Sequence, residues 1–141
     1  MDEILLRSVK NEIAILTLNS PKNLNALSEA MLEALKLNLE EIEKSKNIKS
    51  VIIKASGRAF CPGHDLKEMQ EKRNLKNDGG KAYFEKLLSK CTYVMKLIRE
   101  LPQPVIAEVQ GVAAAAGCQL VATCDIAVAS EEASFGVNGV T

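Results

Sequence analysis

The chain has 141 residues, 47% hydrophobic and 26% charged, a composition that fits one folded domain of common size rather than a disordered chain. Its 18 basic residues offset 18 acidic ones, so no net field draws it to nucleic acid or to an anionic membrane surface. The acidic start Met1-Asp2-Glu3 shows no basic leader, no stretch has the length of a membrane span, and four scattered cysteines with one histidine form no zinc cage; a cytoplasmic protein with reduced thiols and no metal is expected.

Residues 4–9 and 13–18 are runs rich in Ile, Leu and Val on either side of Lys10-Asn11-Glu12, which predicts a two-stranded hairpin, broken at Ser20-Pro21-Lys22-Asn23. Ser28 is placed to cap a helix in which Met31, Leu35, Leu39 and Ile42 share one face, with Glu33, Lys36, Glu40, Glu43 and Lys44 on the others. The short apolar run 51–55 is expected to be a strand covered on both faces, completing a strand–helix–strand crossover. A loop over 56–64 leads into a short helix beginning at Asp65, and 74–80 is a polar break. Phe84, Leu87, Leu88, Cys91, Val94, Met95 and Ile98 form one stripe of the clearest helix, which should face the core. Leu101-Pro102-Gln103-Pro104 stops that helix; 105–109 reads as a strand, 112–117 as a small-residue segment, 119–124 as helix and 125–129 as a further strand. Cys91, Cys118 and Cys124 lie in apolar patterns and are expected in the core, whereas Cys61 falls in a loop.

The segments Ser56-Gly57-Arg58-Ala59-Phe60-Cys61-Pro62-Gly63-His64-Asp65-Leu66 and Gln110-Gly111-Val112-Ala113-Ala114-Ala115-Ala116-Gly117-Cys118-Gln119 both run from a strand into a helix. In a mostly parallel sheet such junctions gather at the carboxyl ends of the strands and face one another across a crevice. Each helix start offers N–H groups without intrahelical partners at the positive end of the helix dipole, so two of them can converge on one oxygen.

The stretch from Phe60 to Met69 resembles the first oxyanion-hole segment of the crotonase (enoyl-CoA hydratase/isomerase) family. Val109 to Leu120, followed by Cys124-Asp125-Ile126, resembles the second, and Ser20-Pro21-Lys22-Asn23-Leu24-Asn25-Ala26-Leu27 resembles the CoA-contacting segment, all in the family's order. The resemblance implies a crotonase-like α/β spiral of ββα units, with residues 1–141 forming the N-terminal part of a single domain that stops before the C-terminal helices. It implies an acyl-CoA thioester as partner, with coenzyme A as part of the substrate and no separate cofactor. It further implies fatty acid metabolism among the lyases, and trimers or hexamers at full length. The oxygen-binding N–H groups fall to His64 and Ala116; Pro62, Asp65, Leu66 and Ala115 line the site, Gln119 orients water or substrate, and Lys22 and Leu24 lie beside CoA.

Such a site works because attack on a thioester carbonyl, or deprotonation beside it, drives negative charge onto the oxygen, where fixed N–H donors stabilise it. Main-chain donors leave side chains free to vary, and small residues such as Ala115, Ala116 and Gly117 let the thioester approach closely. Taken singly, the same residues have plainer readings. An alanine-rich segment is a tightly packed helix, a lone loop imidazole such as that of His64 is solvent-exposed, Asp65 is a first-turn helix acid, and Lys22 is a turn residue.

Hydratases of the family use two glutamates to handle water. Here Gln119 stands at the first and, counted without gaps, Gly139 at the second. An amide cannot accept and return a proton, so hydration by the usual route is not expected. Enolate-stabilised chemistry on a thioester is the leading reading; a non-catalytic acyl-CoA-binding or assembly subunit, or an inactive fragment, is its rival. A dinucleotide-binding domain fits poorly because the second loop has no GxGxxG pattern. A sheet without the family's later turns should expose apolar surface and an unprotected edge, and so should associate.

Overall fold

A computed structural model describes residues 3–75 and 77–137. Strands β1 (Leu5–Lys10) and β2 (Ile13–Leu18) form the expected antiparallel hairpin, in register from Leu5 opposite Leu18 to Lys10 opposite Ile13. Asn11 and Glu12 turn it at φ 52° and 65°. The Ser28 side chain accepts a hydrogen bond from Met31 N at 3.2 Å and starts α1 (Glu29–Lys44), whose Met31, Leu35, Leu39 and Ile42 are fully buried. The crossover delivers β3 (Ser50–Ala55) parallel to β2.

From β3 onward each turn of the chain repeats one move. A strand enters a large sheet and the next short strand enters a small one, with helix after each of the first two such pairs. The strands are β3 then β4 (Ala59–Cys61), followed by α2 (Leu66–Arg73) and α3 (Lys81–Glu100); β5 (Val105–Val109) then β6 (Val112–Ala114), followed by α4 (Ala116–Thr123); and β7 (Ile126–Ala129) then β8 (Ser134–Gly136). The large sheet runs β1-β2-β3-β5-β7 and the small one β4-β6-β8, with every pairing after the first hairpin parallel. This is the spiral of ββα units expected from the resemblance. Asp125 fixes the start of β7, its Oδ2 accepting from Val105 N at 2.7 Å.

Several expectations are corrected. Strand β3 is buried on one face only: Val51 and Ile53 join the core with α1 and α3, while Lys54 on the open face pairs with Glu108 of β5 at 3.3 Å. The loop 56–64 contains β4, and the small-residue segment 112–117 contains β6; neither was expected as a strand. On α3, Leu88 turns away from the core to 54% exposure and Leu97 is buried in its place beside Ile98. Cys61 is buried within β4, and of the three cysteines expected in the core only Cys91 is fully buried, Cys118 and Cys124 being half-buried. Strand β7, at the edge of the large sheet, is exposed along its whole length, as are Phe135 and Val137 beyond it, which matches the expected open apolar edge.

Candidate functional site

The site is framed by polar side chains sewing three segments together. Asn25, completely buried at φ 64°, accepts from Ser20 N at 2.8 Å and donates from Nδ2 to Ser56 O at 2.8 Å and Ala59 O at 3.0 Å. Leu27 N donates to Gly63 O at 2.7 Å. The segment carrying Lys22 and Leu24 is thereby held against the loop carrying His64. Asp65 is the N-cap of α2: Oδ1 accepts from Lys67 N and Glu68 N at 3.1 Å each, and Oδ2 accepts from Asn23 Nδ2 at 3.1 Å. The helix-start reading of its carboxylate is therefore the one its geometry fits. Sequence reasoning gave Asn25 no role, although a polar residue between the turn and the apolar Ala26-Leu27 was the available signal.

The two strand-to-helix turns meet. Gly63, at φ +110°, sits so that a Cβ built on it would lie 3.2 Å from Ala115 Cβ and 3.4 Å from Ala116 N. One residue into α4, a Cβ on Gly117 would lie 2.0 Å from Cys61 O, so the start of that helix rests directly on the backbone of β4. Ala115 takes φ 50°, ψ −122°, a conformation that costs an alanine about 1–3 kcal/mol. It is fixed there by Ala115 N donating to Gly136 O at 2.8 Å and by Ala115 O accepting from Gln119 N at 3.0 Å. Neither His64 N–H nor Ala116 N–H has an acceptor among the described residues.

A cleft of about 550 Å³ is lined by Asn23, Ala26, Pro62, His64, Asp65, Leu66, Met69, Ala114 and Ala115. A second, of about 430 Å³, is lined by Ala115, Ala116, Cys118, Gln119, Ala122 and Val137, so Ala115 is the ridge between them. Of the candidate residues, Pro62, His64, Asp65, Leu66 and Ala115 come together in the first, and Ala116 and Gln119 in the second. Lys22 is exposed and Leu24 half-buried, and neither lines these two clefts; their neighbour Asn23 does. The His64 imidazole is not the solvent-exposed ring of the plainer reading: the residue is half-buried and its Nδ1 is buried without a hydrogen-bond partner. Burial pushes the Cys61 thiol up to about 11, opposed in lesser part by backbone hydrogen bonding from Gly63, which makes it unreactive at neutral pH. Position 139 lies outside the described residues.

The enoyl-CoA hydratase/isomerase family model matches residues 8–141. The chain belongs to the enoyl-CoA hydratase/isomerase family. Human enoyl-CoA hydratase domain-containing protein 3, mitochondrial, is 48% identical over 125 residues, covering 89% of this chain and 39% of that protein. The crystal structure of that human protein superposes with a TM-score of 0.87 at 43% identity, covering 96% of this chain and 51% of the other. An enoyl-CoA hydratase from Mycobacterium smegmatis superposes with a TM-score of 0.90 at 47% identity, covering 98% of this chain and 52% of the other. This family member thus spans about half the length of the solved relatives and about 40% of the human protein's sequence. No helix among its described residues is long and apolar enough to cross a membrane. The human relative's name places that protein in mitochondria, which lends no support to a cytoplasmic expectation.

Proposed function

We propose that this chain binds an acyl-CoA thioester and stabilises the enolate form of its carbonyl with the main-chain N–H groups of His64 and Ala116. The observation supporting the reading is the close approach of the two turns, a Cβ on Gly63 falling 3.4 Å from Ala116 N, with both N–H groups lacking acceptors among the described residues. An oxygen seated between the two turns would take both donors. Main-chain donors would be fixed before any ligand arrives, and removing one donor from a site of this type costs roughly 10²–10³ in rate.

Ala26, Pro62, Leu66 and Met69 give the larger cleft an apolar wall suited to an acyl chain. Lys22, exposed one residue from Asn23 at the cleft, would meet the phosphates of coenzyme A, with Leu24 beside it; CoA would enter as part of the substrate. Gln119 donates and accepts hydrogen bonds and so orients a water or the substrate from the adjoining cleft, but its amide does not exchange protons as a carboxylate would. Enolate chemistry other than standard hydration follows. Isothermal titration with butanoyl-CoA, CoA and butanoate tests binding: the thioester should bind tighter than either part, and equal or absent binding removes the proposal.

A second reading, an acyl-CoA-binding or assembly subunit without catalysis, is favoured by the exposed apolar residues of β7 and β8. Deuterium exchange at C2 of bound butanoyl-CoA separates the two. Exchange above the solvent rate supports enolate stabilisation, and tight binding without exchange supports the subunit.

A further inference from the structure

We propose that the His64 imidazole is a second recognition group, donating from Nε2 to an oxygen on the acyl chain and so selecting thioesters that carry a hydroxyl or carbonyl close to the thioester group. This rests on the acyl-CoA reading but uses a different part of the residue, since enolate stabilisation engages only the main chain of His64.

The larger cleft has three polar side chains on its lining: Asn23, His64 and Asp65. Two are already engaged. Asp65 accepts from Lys67 N, Glu68 N and Asn23 Nδ2, and Asn23 in turn accepts at Oδ1 from Ser20 Oγ at 2.6 Å. The remaining lining is aliphatic, thioether or proline. Of the three, His64 is the one whose side chain makes no hydrogen bond among the described residues, which leaves its ring free to read a polar substituent.

The ring's two nitrogens are in different situations. Nδ1 is buried and has no partner. A neutral imidazole carries one N–H, and a buried N–H without an acceptor is a rarer and costlier defect than a buried lone pair, so the proton belongs on Nε2. Nε2 makes no hydrogen bond with the described residues and is not among the buried, unpartnered polar atoms. It is an open donor. Because it hangs from the residue whose N–H would meet the thioester oxygen, its reach is limited to the first few acyl carbons. A site holding an unsatisfied donor discriminates against the analogue that lacks the matching oxygen.

The test compares 3-hydroxybutanoyl-CoA with butanoyl-CoA by titration calorimetry on the 141-residue chain. The hydroxylated thioester should bind about tenfold tighter, the value of one neutral hydrogen bond, and the ratio should fall to about one in His64→Ala. His64→Gln, which keeps an amide donor, should recover part of the ratio. Since His64 is the chain's only histidine, its ring resonances need no assignment, and long-range ¹H–¹⁵N spectra should show the neutral ring protonated at Nε2. Equal affinities in the unaltered chain, an unchanged ratio in His64→Ala, or a ring protonated at Nδ1 would overturn the proposal. If His64→Ala fails to fold, His64→Phe reads the same ratio with the ring's bulk retained. Failure of both thioesters to bind removes the acyl-CoA reading and this proposal with it, whereas equal binding of both removes this proposal alone.

Discussion

Gly63 lies against Ala115 so closely that a methyl group on the glycine would stand 3.2 Å from the alanine's Cβ. The glycine also holds φ +110°, outside the range L side chains adopt readily. Gly63→Ala is therefore strained by its backbone and crowded by its neighbour, and should lose about 2 kcal/mol in urea unfolding. Acyl-CoA affinity should fall with it, because relief of the crowding separates the two turns. A variant as stable as the parent would show that the turns are not in contact.

Gly117 and Gly79 make a paired prediction. A Cβ on Gly117 would meet Cys61 O at 2.0 Å, whereas one on Gly79 would meet nothing within 4 Å, leaving only its φ of +66°. Gly79→Ala should cost about 1 kcal/mol, and Gly117→Ala about 3 kcal/mol or more, because backbone must move. Thermal melts of the two variants side by side decide it, and similar losses would be inconsistent with helix α4 resting on β4.

Removal of the Asn25 amide deprives Ser20 N, Ser56 O and Ala59 O of a partner at a fully buried position. Asn25→Ala should cost about 2–4 kcal/mol. Hydrogen exchange should show the amides of residues 20–27 losing protection first. Uniform loss across the chain would argue against a local clasp.

Alkali should weaken the fold through the thiols of buried Cys61 and half-buried Cys124. Burial raises Cys61 from 9.0 to about 11, and burial with the nearby Asp125 charge raises Cys124 to about 12. The unfolded chain releases these protons near pH 9 while the folded chain keeps them. This stabilisation is complete below pH 9 and disappears as pH climbs through 11 to 12. Urea midpoints should fall between pH 8 and about 10.5, less so in Cys61→Ala. At neutral pH iodoacetamide should modify Cys118, half-buried at a cleft, before Cys61.

The exposed β7 edge, with Ile126 and Val128 more than half uncovered, should make the chain associate at high concentration. Sedimentation velocity should show larger species that diminish in Val128→Lys. A monomer at every concentration would contradict this.

The long elements were legible because their periodicity spans enough residues: the hairpin repeats every second residue, and α1 repeats Met31, Leu35, Leu39 and Ile42. The three-residue strands β4, β6 and β8 were not, since three residues cannot display a period and they exist through pairing with partners far along the chain, as Ala113 does with Cys61 and Phe135. The one-sided burial of β3 was hidden because Ile52, on its open face, is as apolar as Ile53 in the core. The proposed donor positions rest on the resemblance of two loops to a family pattern. The engaged state of Asp65 and the unpaired Nδ1 of His64 depend on three-dimensional neighbours that no local pattern encodes.

Strands β4 and β6 are laddered neighbours, and each leads straight into one of the two turns. The gap between those turns is thus set by peptide groups, which every amino acid possesses. Exchange at positions 64 and 119 can alter what the clefts recognise while leaving that gap alone, so libraries randomised at these two sites should stay folded while their ligand preferences diverge.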